Sequence, residues 1–119
     1  MRTKAVAIAA ACAAIAGCGG GTSKSAPSQR DVAVITASVS DILYQCQAAA
    51  AQYIAGPDHK ALQRDVDQLV SAADRLQADA PFRSALGPRT TLRSQLELAA
   101  RNLRARCAPQ QATRLDDAI

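Results

Sequence analysis

Four cysteines and one histidine are the residues of this chain with the chemistry of nucleophiles, metal ligands or proton carriers, and their surroundings separate them. Cys12 lies inside an apolar run from Ala5 to Ala16, where it reads as one more small apolar residue. Cys18 stands between alanines and Gly19, Gly20 and Gly21, neighbours that give a structural cysteine nothing to pack against. Cys46 and Cys107 remain. Neither has a Cys-x-x-Cys spacing and His59 has no second histidine to join it, so no metal site is expected of them. His59 opens a helical pattern without a partnered nucleophile and reads as a surface residue rather than a proton carrier. General acid/base work needs titratable pairs converging in a cleft. A single glutamate and scattered aspartates offer none, so neither a catalytic residue nor a cofactor is expected, and a small hydrolase is the least favoured reading.

The other chemistry-bearing group is cationic. Six arginines fall between Arg83 and Arg106 with only Glu97 opposing them. A functional reading makes Arg93, Arg101 and Arg104 a patch for anionic lipid headgroups or cell-wall polymer. The competing and stronger reading is a solvated face: Arg93, Glu97 and Arg101 are spaced four apart, so the glutamate can pair on both sides. Asp65, Asp67, Asp74 and Asp79 supply further compensation.

The amino terminus has two cations, Arg2 and Lys4, before an apolar run of about 12 residues. This is the layout of a signal peptide, and it is short of the ~20 residues a helix needs to cross a bilayer. Ile15-Ala16-Gly17-Cys18 resembles the lipobox of bacterial lipoproteins, with Ile15 where leucine is commonest. The resemblance covers residues 1–18 only. It implies that the Cys18 thiol is alkylated by a diacylglyceryl group bearing palmitate-like chains and that a signal peptidase cuts between Gly17 and Cys18. The domain would then be anchored to a membrane without spanning it. Gly19 replaces the aspartate that often retains such proteins in an inner membrane. The implied location is the outer membrane of a two-membrane host, or the outer face of the plasma membrane in a one-membrane host.

Removing residues 1–17 leaves about a hundred residues, one domain's worth. Residues 18–27 read as the lipidated cysteine and a Gly/Ser-rich flexible tether. The core is thin, with one Phe, two Tyr and no Trp, so a domain of this size needs reinforcement. In an oxidising exterior, Cys46 and Cys107 are expected to form a disulfide. The full chain carries a formal charge of +4, part of which leaves with Arg2 and Lys4, so a nucleic-acid partner is not expected. The reading is a monomer whose partners are the membrane, through Cys18, and another envelope protein.

Three helical patterns must position these groups. Val32, Ile35, Val39, Ile42, Cys46, Ala49 and Tyr53 alternate spacings of three and four, which predicts a helix from about Ser28 to Ala55. Ser28 and Asp31 form its capping pair, Gly56-Pro57 its stop, and Tyr53 a core residue. Tyr44 and Tyr53 as a binding surface is the alternative. Leu62, Val66, Leu69, Ala73, Leu76 and Ala80 predict a second helix, capped by Asp58 and ended by Pro81. After a turn-rich segment containing Gly87-Pro88, Leu92, Leu96, Ala99, Leu103 and Cys107 predict a third, started by Thr90 or Thr91 and stopped before Pro109. No strand pattern is evident. At 1.5 Å per residue, Cys46 lies about 27 Å from Ser28 and Cys107 about 26 Å from Thr90. Parallel first and third helices would bring the sulfurs level. The expected fold is therefore all-α, an up-down-up three-helix bundle over residues 28–108 with its outer helices joined by the disulfide. Residues 109–119 are left as a tail or short helix. The short heptad-like stretch of the first helix favours packing within the chain over a coiled coil.

Overall fold

The structure, a computed structural model, describes residues 23–83 and 87–119. The expectations for Cys18 and the Gly17–Cys18 cleavage lie outside the described residues. The chain is mostly helical: α1 (Gln29–Ala50), α2 (His59–Arg75), β1 (Pro81–Arg83), β2 (Arg89–Thr91), α3 (Leu92–Arg106) and α4 (Pro109–Ala118). The expected disulfide joins Cys46 to Cys107. A three-helix bundle is too simple a description, because a fourth helix and an antiparallel hairpin complete the domain.

Local chemistry accounts for each helix start. The Ser28 hydroxyl accepts from the Asp31 backbone N–H at 3.2 Å, while the Asp31 carboxylate accepts from the Ser28 N–H at 3.0 Å. This reciprocal box satisfies two donors that the helix itself cannot, and the bond from the Ser28 backbone holds the Asp31 carboxyl below its ordinary value. Asp58 caps α2 by accepting from Ala61 N–H at 3.1 Å. Thr91 caps α3 by accepting from Ser94 N–H at 3.1 Å. Pro109 starts α4 at the one helical position where its missing N–H costs nothing.

The helix ends depart from expectation, each for a physical reason. α1 stops at Ala50, not near Ala55, because Gln52 turns left-handed with φ 64°. Gln52 N–H donates to Ala49 C=O at 3.1 Å and Tyr53 N–H to Ala48 C=O at 2.9 Å. This is a Schellman motif with glutamine at the position glycine favours. Tyr53 is thereby swung off the apolar stripe; it is 85% exposed and not a core residue. α2 stops at Arg75 because another chain segment takes over its last carbonyls. Ser25 N–H donates to Arg75 C=O at 3.1 Å, Gln77 N–H to Ser25 C=O at 2.8 Å, and Lys24 Nζ to Ala73 C=O at 3.1 Å. Lys24 and Ser25, which composition placed in a flexible tether, are thus pinned to the end of α2. β1 and β2 are three residues each, too short for a two-residue alternation to register, and pair as Pro81–Thr91, Phe82–Thr90 and Arg83–Arg89.

The four helices form a closed ring of contacts, in which α1 packs on α2 and α3, and α4 packs on the same two from the other side. Ile35, Ile42, Leu62, Val66, Leu69, Leu96, Leu103 and Leu115 are fully buried in the shared core. Leu115 and Ala112 show why α4 forms: its inner face closes the gap between α2 and α3. The starts of α1 and α3 both lie at the end of α2, through the Ser25–Arg75 bond and an Arg93 N–H to Ala78 C=O bond of 3.0 Å. Their far ends are joined at Cys46 and Cys107, whose Cα atoms are 5.1 Å apart. α1 and α3 therefore run parallel, as the sulfur heights require. The end carrying Ser25 and the hairpin is the proximal end of the domain, and the disulfide end the distal one.

Candidate functional site

The three arginines expected to form an anion patch do not present three free charges. Arg93 donates from Nε and Nη2 to the two carboxylate oxygens of Asp79 at 2.8 and 3.3 Å. Its partner is thus an aspartate of the α2–β1 connection rather than Glu97 one turn along. The pairing lowers the Asp79 carboxyl and strengthens the proton's hold on Arg93. Arg104 pairs with Asp116 of α4. Of these three, only Arg101 is exposed without an ion pair among the described residues. Arg75–Asp31 and Arg114–Asp67 complete the set of bridges among the described residues. Such exposed pairs contribute little stability, since water screens them.

A different arginine pair is left without carboxylates. Arg83 and Arg89 face each other across the hairpin register, both exposed. Directly opposed like charges destabilise a strand pair. Neither has an ion-pair partner among the described residues, and residues 1–22 and 84–86 contain no aspartate or glutamate that could provide one. Beside Arg83 runs an open, mainly apolar groove of about 710 Å³, with Val32, Ala33, Thr36 and Ala37 of α1 on one side and Phe82 on the other. Pro27 and Ser28 form its end, two residues beyond the pinned Ser25. Sequence reading missed this site because it depends on a hairpin. The available signal was two arginines flanking Gly87-Pro88, a turn dipeptide that can place its flanks opposite one another.

The α1–α2 seam carries a polar ladder. Gln45 accepts from the Asp58 N–H at 2.9 Å, Asp41 sits against Asp65, Ser38 donates to Gln68 at 2.7 Å, and Asp31 meets Arg75 at 3.5 Å. Each step down α1 matches a step up α2, so the ladder records the antiparallel register. Its second rung is costly. Asp65 is 5% exposed and its Oδ2 has no hydrogen-bond partner. Burial pushes its carboxyl up to about 7, with the hydrogen bond and charge of Asp41 adding to the shift and Arg64 opposing it.

At the distal end, Tyr44 and Tyr53 are 65% and 85% exposed. With Gln47, Ala48 and Ala51 they border a shallow depression of about 340 Å³. His59 is exposed at the first position of α2. Among the described residues no three metal-ligating side chains gather, and no helix is long and apolar enough to cross a membrane. Comparison with protein-family models, with curated proteins and with solved structures finds no match for this chain.

Proposed function

We propose that this chain is a lipid-anchored extracytoplasmic protein of the bacterial cell envelope, a non-enzymatic module that docks another envelope protein. The observation that carries the reading is the Cys46–Cys107 bond, formed from a buried Cys46 and a half-buried Cys107. Disulfides persist in oxidising compartments, and such a compartment is what the lipobox resemblance of residues 15–18 implies. The layout of the domain fits the role. The chain leading from Cys18 meets the domain at Ser25, at the proximal end. The exposed Tyr44 and Tyr53 lie at the opposite end, where an anchored domain would offer them away from the bilayer. Tyrosine is favoured at interfaces because it combines apolar area with a polar tip.

Two measurements test the two halves of the reading. Cys18→Ser should abolish fatty-acid labelling and processing, because a hydroxyl is a far poorer nucleophile than a thiolate; labelling that survives ends the anchor. A photocrosslinking side chain at Tyr44 or Tyr53, activated in intact cells, should give a discrete protein adduct. If neither position yields one, the docking role is wrong.

A further inference from the structure

The proximal end combines three features that no part of the proposed role explains: an apolar groove, an arginine at its edge (Arg83) that is opposed across the hairpin by a second, Arg89, and the entry point of the chain. We propose that the groove beside the hairpin receives an acyl chain of an anionic phospholipid whose phosphate is held between Arg83 and Arg89, so that this end of the domain rests against the bilayer. The inference rests on the anchored reading for its location.

Each element of the ligand has its counterpart in the structure. A phosphate between two guanidinium groups converts a repulsive cross-strand pair into a favourable one, since each arginine can offer charge-assisted N–H donors. The absence of any carboxylate partner for Arg83 or Arg89 leaves those donors available. Arg83 borders both the cationic pair and the groove, so a headgroup at the pair directs its chain past Phe82 and along Val32, Ala33 and Ala37. A free phosphate or a sugar phosphate would use the arginines but leave that apolar surface uncovered. Position supplies the access. Ser25 is bonded to the end of α2, two residues from Pro27 at the groove's end. The seven residues from there back to Cys18 reach at most about 25 Å when extended, so a lipid on Cys18 keeps the groove within reach of the membrane surface. The paired Arg93 and Arg104 of α3 lack this combination, which moves the anion contact from α3 to the hairpin.

The test uses the full chain in nanodiscs of phosphatidylcholine with or without phosphatidylglycerol, and a phosphatidylglycerol carrying a diazirine on one acyl chain. Crosslinks mapped by mass spectrometry should fall on residues 27–37 and on Phe82. They should drop roughly tenfold or more in an Arg83→Glu, Arg89→Glu variant, following the ~1 kcal/mol that each basic residue near an anionic surface is worth. Arg83→Lys with Arg89→Lys should retain most of them, because the charge remains. A thermal melt of each variant checks that these exposed changes leave the fold intact. Crosslinks centred on Arg101, crosslinks equally strong from a phosphatidylcholine probe, or crosslinks indifferent to the charge reversal would each overturn the proposal. Intact mass of the same preparation reads the lipid on Cys18 separately, so an unmodified cysteine with groove crosslinks sinks the anchor and leaves the lipid site standing.

Discussion

Replacing Asp65 by asparagine should make the protein more stable at neutral pH, and the size of the gain follows from what surrounds the carboxyl. In the folded chain its proton is held up to about 7, whereas in the unfolded chain it leaves near 3.8. A raised carboxyl favours the folded state only while protonated, so its contribution is complete below about pH 4. It declines as pH rises and is gone above about 7. The full interval corresponds to roughly 4 kcal/mol at about 1.4 kcal/mol per pH unit. Asp41 is only half-buried, and water reaching it reduces the effect to about 2–3 kcal/mol. Asparagine keeps the shape, removes the charge and can donate to Asp41, so the variant should lose this slope. Urea unfolding of both proteins from pH 5 to pH 8 measures it. Subtracting the curves cancels groups the substitution leaves alone, and the difference should grow with pH in favour of the variant. Parallel curves, or a variant less stable at pH 8, would refute the argument that Asp65 is buried against a second carboxyl.

Cys107→Ala, or reduction, should lower the melting temperature by well over ten degrees. Cross-linking residues 61 positions apart contributes about 4 kcal/mol in the loop-entropy account, and ~1 kcal/mol moves a domain this size by about 4–8 °C; a shift below five degrees would contradict it. Gln52→Gly should stabilise by about 0.5–1 kcal/mol in chemical denaturation, because glycine takes the left-handed φ of 64° without strain. Ser28→Ala should cost about 1 kcal/mol by removing the cap of α1, and the same melts would show it.

What the sequence made legible was chemistry acting over a few residues. Ser28 with Asp31, Asp58 and Thr91 declare helix starts by side chains that reach backbone donors nearby, and all three cap as expected. The Cys46–Cys107 pair was legible too, since two apolar stripes and a common rise put the sulfurs at one height. The parts missed are those decided between distant segments. Ala80 belonged to the second helical pattern, but Ser25 competes for the end of α2 and only the fold brings it there. Pro109 read as the stop of the third helix when it is equally the start of a fourth, whose two buried side chains, Ala112 and Leu115, are too few for a clear period. The Asp41–Asp65 and Arg83–Arg89 pairs each depend on a register, of two helices and of two strands, that composition does not contain.

The Cys46–Cys107 bond also divides the molecule mechanically. It closes a covalent ring that holds α2, the hairpin and α3, while most of α1 and the whole of α4 are arms packed against that ring. A load applied through Ser25 travels along α1 and meets its first covalent branch at Cys46. The hydrogen bonds of Ser25 to Arg75 and Gln77 tie that entry point to the ring without a covalent link, so under load those bonds and the inner face of α1 are what can yield, while the ring itself cannot open without breaking a covalent bond.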